Sequence, residues 1–145
     1  MIRFYFKEEI QKPVHEVFRL IKDRQLMPGW QPGLLSDEAI DKKEGRERYK
    51  LTFRIGRRNI IMTETILKDK FPEYEVSYDL KGIRNIVRNK FEASGQNTTI
   101  WKSDTSFQFK GIMMLVGNFM RSGLEQQSRI IMKNFKNFAE KHYGY

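Results

Sequence analysis

The feature that most constrains this chain is its last stretch, residues 110–141. It contains no proline, and apolar or small residues recur at Met113, Gly117, Met120, Leu124, Ser128, Ile131, Phe135 and Phe138, in steps of three or four. That spacing predicts one long amphipathic helix with a single buried stripe. Arg121, Glu125, Arg129, Lys133 and Lys136 fall on the opposite face, where Glu125 stands four residues before Arg129 and can pair with it. Such a helix would run roughly 45 Å, longer than an ordinary globular helix. The segments before it read mostly as strands. A long closing helix after a run of strands predicts a sheet curled around that helix, and the space between them is where function is to be sought.

With 145 residues the chain is expected to form one domain with a substantial core. It has no cysteine, so disulfides and thiolate chemistry are excluded. Its formal charge of +9 is carried by scattered side chains, with Lys42-Lys43 and Arg57-Arg58 the densest pairs. No basic run reaches five residues, which disfavours nucleic acid as a partner, while the charge leaves peripheral contact with an anionic membrane open. Residues 1–7 alternate in polarity, unlike a signal peptide, and no apolar run approaches the eighteen or so residues that cross a bilayer. A cytoplasmic location is expected. Nothing in the pattern sets an oligomeric state.

Residues 2–10 read as a strand with Ile2, Phe4 and Phe6 on one face. Pro13 opens a short helix in its first turn, with Val14, Val17, Phe18 and Ile21 as its apolar side. Two prolines and two glycines punctuate residues 27–33, which predicts a loop around Trp30 that breaks helix and strand alike. Strands are then expected over 35–43, 46–55, 58–68, 73–80, 83–94 and 98–109, joined by hairpin turns at Gly45, Gly56, Pro72, Gly82 and Gly95. The order is strand, one or two short helices, six strands and the long helix.

Three segments point to a family: Lys12-Pro13-Val14-His15-Glu16-Val17-Phe18 after the first strand, Asp23 with Trp30-Gln31-Pro32-Gly33, and the closing 131–140. Together they resemble the START/Bet v1-like superfamily, the helix-grip fold also called SRPBCC, and within it the polyketide cyclase/dehydrase and lipid-transport group. The resemblance spans essentially the whole chain and implies an α+β fold. In it, a seven-stranded curved antiparallel sheet surrounds the long C-terminal helix, with one or two short helices after the first strand. It also implies an elongated, mostly apolar cavity for a small hydrophobic ligand such as a lipid, polyketide or quinone. Only some members of such a family are enzymes, and fold analogy does not choose among them. No cofactor is implied.

Read for chemistry, the residues themselves exclude more than they assign. His15 and His142, the only histidines, fall far apart with no spaced acidic cluster, so no metal is expected and His15 reads as a helix-surface residue. The six-residue gaps between Gly111, Gly117 and Gly123 do not make a phosphate loop. No serine has a histidine nearby in sequence to activate it. If Tyr49, Leu51, Phe53, Tyr78, Phe91, Trp101 and Phe107 face the helix, strand parity brings Asn89, Ser103 and Thr105 to the same wall. Met113, Met114 and Met120, together with Trp30 and Phe109, are the expected cavity mouth, and Leu124 faces inward from the helix. Glu64 shares parity with Ile60, Met62 and Ile66, so it is either a buried carboxylate or an exposed strand residue, and the exposed reading is the one expected. Arg88 is expected outside. Three functions compete: a noncatalytic carrier of a hydrophobic molecule, a cyclase or dehydratase using Tyr49, Tyr78 or Glu64 as acid/base groups, and a basic interaction module for anionic membrane, RNA or an acidic protein.

Overall fold

The computed structural model describes residues 1–143. Seven strands form one antiparallel sheet: β1 (Ile2–Ile10), β2 (Leu34–Lys43), β3 (Arg46–Ile55), β4 (Arg58–Lys70), β5 (Glu73–Leu80), β6 (Ile83–Ala93) and β7 (Thr99–Phe109). Their spatial order is β1-β7-β6-β5-β4-β3-β2, so the chain's first two strands are the two edges. Helix α1 (Val14–Lys22) and a 3-10 turn (Arg24–Gly29) connect those edges. The closing helix α2 (Arg121–Lys141) packs closest along β1. This is the α+β helix-grip architecture, a curved antiparallel sheet around a C-terminal helix.

Alternation explains the sheet. In β1, Ile2, Phe4, Phe6 and Ile10 are buried while Arg3, Tyr5 and Lys7 are exposed. The pairing of β1 with β7 sets Phe4 opposite Thr105 and Phe6 opposite Ser103, and β6 sets Asn89 opposite Ser103 and Phe91 opposite Trp101. Tyr78 lies opposite both Asn85 and Glu64, and Tyr49 opposite Glu64. The strands end within a residue or two of the positions expected from the turns. Residues 27–29, expected as loop, instead finish the 3-10 turn: Leu26 N–H bonds the Asp23 carbonyl and Trp30 N–H bonds that of Met27, so Pro28 is not required as a donor. Pro13 is the N-cap of α1 rather than a residue of its first turn.

The single helix expected over residues 110–141 divides. Residues 111–120 form two short 3-10 turns, Gly111–Leu115 and Gly117–Met120, and α2 proper has 21 residues. It is therefore about 32 Å long. Gly111 turns the chain with φ of 61°, and Gly117 lies flush against the Phe109 ring, where an added Cβ would come within 2.9 Å of it. Between these glycines Ile112, Met114, Leu115 and Val116 are exposed and only Met113 is partly buried, so the run offers no stripe for an α-helix to bury. From Arg121 onward amphipathicity takes over, with Met132, Phe135 and Ala139 buried and Leu124, Ile131 and Phe138 half-buried.

The C-terminal half of α2 is fastened to the β1–α1 junction. Gln11 N–H donates to Glu140 at 2.8 Å, Lys136 donates to Glu140 and to the Glu9 carbonyl, and Lys133 pairs with Glu8 at 2.8 Å. Its N-terminal half is held differently: the Arg121 and Arg129 guanidinium groups sit 5.1 and 4.9 Å from the ring centres of Phe4 and Phe6. The expected Glu125–Arg129 pair forms at 3.4 Å.

Candidate functional site

The space between sheet and helix has two unlike halves. Around α1 it is filled by aromatic rings. Phe91 stacks on Trp101 at 5.8 Å, Phe135 meets Trp101 and Trp30 edge-on at 5.3 and 5.0 Å, and Phe18 meets Phe91 at 5.8 Å. Trp101 Nε1 donates to Asn89 Oδ1 at 2.9 Å and Asn89 Nδ2 donates to the Tyr74 carbonyl at 3.2 Å, so the Asn89 amide is used at both ends within the core. Phe91 and Phe135 have no accessible surface left.

The other half is open. Ile60, Met62, Tyr78, Leu80, Ile83, Asn85 and Val87 all face the helix by register, yet each keeps accessible surface, as do Phe109, Met113, Met120 and Leu124 across from them. Leu51, Phe53, Ser103, Thr105 and Phe107 are the buried floor. Ser103 and Thr105 hydroxyls lie 3.3 Å apart and satisfy one another with capacity to spare. These inward side chains are mostly apolar and keep partial exposure, with the Ser103 and Thr105 hydroxyls among the buried residues beside them.

Trp30 does not share a mouth with Phe109 and the methionines. It packs on Phe135 beside Trp101, and Phe109 lies eight residues further along β7, roughly 26 Å away at strand rise. Trp30 therefore belongs to the filled half, with Phe91, Trp101 and Asn89. Met113 and Met120 sit in the 3-10 turns at the open end rather than on the helix, and Met114 is exposed. Met113 is seated against Gly82, where an added Cβ would come within 2.6 Å of its side chain.

The exposed reading of Glu64 is overturned. Its residue is 2 % exposed, and Arg24 Nη1 donates to its carboxylate at 2.6 Å while the same guanidinium makes a forked bond to Asp37 at 2.8 and 3.0 Å. Burial pushes the Glu64 carboxyl up, against the lowering effect of Arg24 and of a hydrogen bond from Tyr78. Burial would lower the Arg24 guanidinium, but its bonds to Asp37 and the charge of Glu64 more than offset this and raise it. Burial, then the Glu64 charge, push the Tyr78 hydroxyl well above its ordinary range. The Tyr49 ring lies 3.4 Å from the guanidinium carbon and its hydroxyl donates to Glu47 at 3.1 Å. Sequence reasoning missed Arg24 and Asp37 entirely. The parity of Glu64 was the one available signal; its partner sits 40 residues away, in a turn whose position no local pattern gives.

Arg88 is exposed, with Glu75 at 3.8 Å, and His15 is exposed and stacked on Phe71 at 4.6 Å. Two further depressions lie outside the helix–sheet space. One, of about 520 Å³, runs between Trp30 and the end of α2, and one of about 460 Å³ lies on the outer face of the sheet beside Tyr5 and Lys102. Among the described residues no group of three or more His, Cys, Asp or Glu is placed to hold a metal ion, and no helix is long and apolar enough to cross a membrane.

A curved antiparallel sheet gripping a C-terminal helix, with short helices after the first strand, is the START/Bet v1-like fold. Within it, the chain belongs to the polyketide cyclase / dehydrase and lipid transport family, whose pattern matches residues 1–140. Solved structures share the fold at low identity. A START superfamily protein from Mycobacterium smegmatis is 12 % identical with a TM-score of 0.80, over 97 % of this chain and 99 % of that one. The Zhui aromatase/cyclase from Streptomyces sp. R1128 is 11 % identical with a TM-score of 0.76, over 96 % and 93 %. Norcoclaurine synthase from Thalictrum flavum, solved with dopamine and hydroxybenzaldehyde, is 13 % identical with a TM-score of 0.71, over 99 % and 88 %. No curated protein matches the chain significantly in sequence. At these identities the likeness is one of fold.

Proposed function

We propose that the chain binds and carries a small hydrophobic molecule in the open half of the helix–sheet space. The observation that supports this most is the set of inward-facing side chains that keep accessible surface, from Ile60 on β4 to Val87 on β6 and Leu124 on α2. Leu51, Phe53 and Phe107 would floor the ligand, and Ser103, Thr105 and Tyr78 would orient it by hydrogen bonds. Trp30, Phe91, Trp101 and Asn89 support that floor from behind. Titration with cis-parinaric acid, a fluorescent fatty acid, tests the reading. Val87→Trp and Leu124→Trp, each filling half-buried space, are expected to weaken binding at least tenfold with the fold retained. Unchanged affinity in both variants, or no binding by the wild type, overturns it.

A second reading is favoured by one observation, the buried Glu64 beside Tyr78 with a raised pKa. A buried carboxyl whose pKa is raised by desolvation can serve as a general acid or base in cyclisation or dehydration of a polyketide-like substrate. Tyr49 is set apart from this role, because its hydroxyl is engaged by Glu47. Incubation with a poly-β-keto thioester, with products followed by mass spectrometry, tests it: product formed equally by wild type and Glu64→Gln sinks the catalytic role.

A further inference from the structure

The 3-10 segment after β7 exposes what a soluble chain ordinarily hides. Ile112, Met114, Leu115 and Phe119 are 80, 68, 77 and 88 % exposed, and Val116 is exposed beside them. The segment is not loose. Met113 is seated on Gly82, Lys110 N–H bonds the Gly82 carbonyl at 2.9 Å, and Gly117 lies against Phe109, so the backbone is anchored while five apolar side chains stand outward. A contiguous apolar crest of this kind marks an interaction surface rather than a scatter of single exposed residues.

The charge around the crest chooses among partners. Antiparallel order brings the β3–β4 turn, the β5–β6 turn and the end of β7 to the same end of the sheet. Those three stretches, residues 48–63, 80–91 and 105–124, contain no aspartate or glutamate. They carry Arg57, Arg58, Lys81, Lys110 and Arg121, all exposed, and the first four enter no ion pair among the described residues. The nearest acids are each paired: Asp79 with Arg84 at 3.7 Å, Asp37 with Arg24 and Glu125 with Arg129. At the opposite turns the charges are mixed: Lys42, Lys43, Lys68, Lys70 and Lys90 stand among Glu44, Asp69, Glu73 and Glu92, and Asp69, Glu73 and Glu92 are paired with lysines. The end that carries the crest is thus the one where cations stand without acids in the same turns, whereas the opposite end is mixed in sign. An apolar crest ringed by cations fits the interface of an anionic bilayer, where side chains enter the acyl boundary and the cations meet headgroups. A nucleic acid would use the cations and leave the crest in water; a second copy of this chain would bring cations against cations.

We propose that this end of the molecule docks on anionic membranes through the 112–119 crest and the cations of the adjacent turns. The crest stands beside Met113 and Phe109, so on the carrier reading docking would turn the helix–sheet space toward the lipid phase. The surface stands on its own observations and does not require the carrier reading.

Vesicle co-sedimentation with the full chain tests it, using phosphatidylcholine alone and phosphatidylcholine with about a third phosphatidylserine. Binding is expected to the anionic vesicles only, and to fall at least tenfold between low and high salt. Leu115→Glu with Phe119→Glu, and separately Arg57→Glu with Arg58→Glu, alter exposed side chains and are each expected to cut vesicle binding at least tenfold. Affinity for cis-parinaric acid in solution is expected to stay within twofold in both, which separates failure at this surface from failure of the groove. Absent binding by the wild type, equal binding by either double variant, or sedimentation velocity showing a crest-dependent dimer that ignores vesicles, overturns the proposal.

Discussion

Replacing Arg24 by methionine removes the one cation between two sequestered carboxylates. The side chains of Glu64 and Asp37 are 3 and 16 % exposed, and that of Arg24 21 %, so water can reach the vacated place only partly. Breaking a buried pair by deleting one partner costs about 3–5 kcal/mol, and the partial exposure of Arg24 places this case near the lower end, ~3 kcal/mol. For a chain of this length the unfolding entropy is roughly 0.3 kcal/mol per degree, so Tm is expected to fall by about 10 °C. The assay is urea unfolding followed by circular dichroism, with the second variant Glu64→Gln made in both backgrounds. In the Arg24→Met background the glutamine removes one stranded charge and is expected to recover about half the loss, ~1.5 kcal/mol, leaving the Asp37 share. The deficit is also expected to shrink as pH falls and the Glu64 carboxyl, raised by burial, takes up a proton. An Arg24→Met loss below about 1 kcal/mol, or a glutamine that deepens the loss in that background, would refute the reasoning.

Glu64→Gln alone tests the direction of the carboxyl's shift. Burial raises the folded pKa above the unfolded value, so the folded chain holds the proton longer. The associated stability is complete below the unfolded value of about 4.3 and is lost as pH rises through the folded pKa. Wild-type stability measured relative to Glu64→Gln is therefore expected to decline as pH rises above the unfolded value, and an increase instead would mean that Arg24 outweighs desolvation. Phe135→Ala, which empties a fully buried ring between Trp30 and Trp101, is expected to cost about 3–5 kcal/mol in urea unfolding. A cost under 1 kcal/mol would show that the filled half is not the stabilising one.

Strand alternation made the sheet legible. Side chains of period two such as Tyr74, Val76 and Tyr78 announce both the strand and the face, and glycine turns set the hairpins. Parity likewise carried Ser103 and Thr105 to the interior wall. What resisted was anything decided by contact between distant segments. The 113-to-138 spacing runs straight through Gly117, and only the Phe109 ring, folded back against Gly117, shows why α-helix begins at Arg121. Glu64 looked like an exposed strand residue because its cation comes from the turn after α1, and Trp30 was assigned to the mouth because nothing local reveals that Phe135 lies beside it.

The unequal fastening of α2 makes it a lever with its pivot at the C-terminal end. Swinging its last turns away from the junction would break the ties of Lys133, Lys136 and Glu140 to Glu8, Glu9 and Gln11. Raising its first two turns breaks no ion pair to the sheet among the described residues; it slides Arg121 and Arg129 off two rings. If the chain carries a guest as proposed, the end that carries Leu124, held to the sheet by ring contacts rather than ion pairs, is where the rod would yield, and the aromatic half is where it would stay closed.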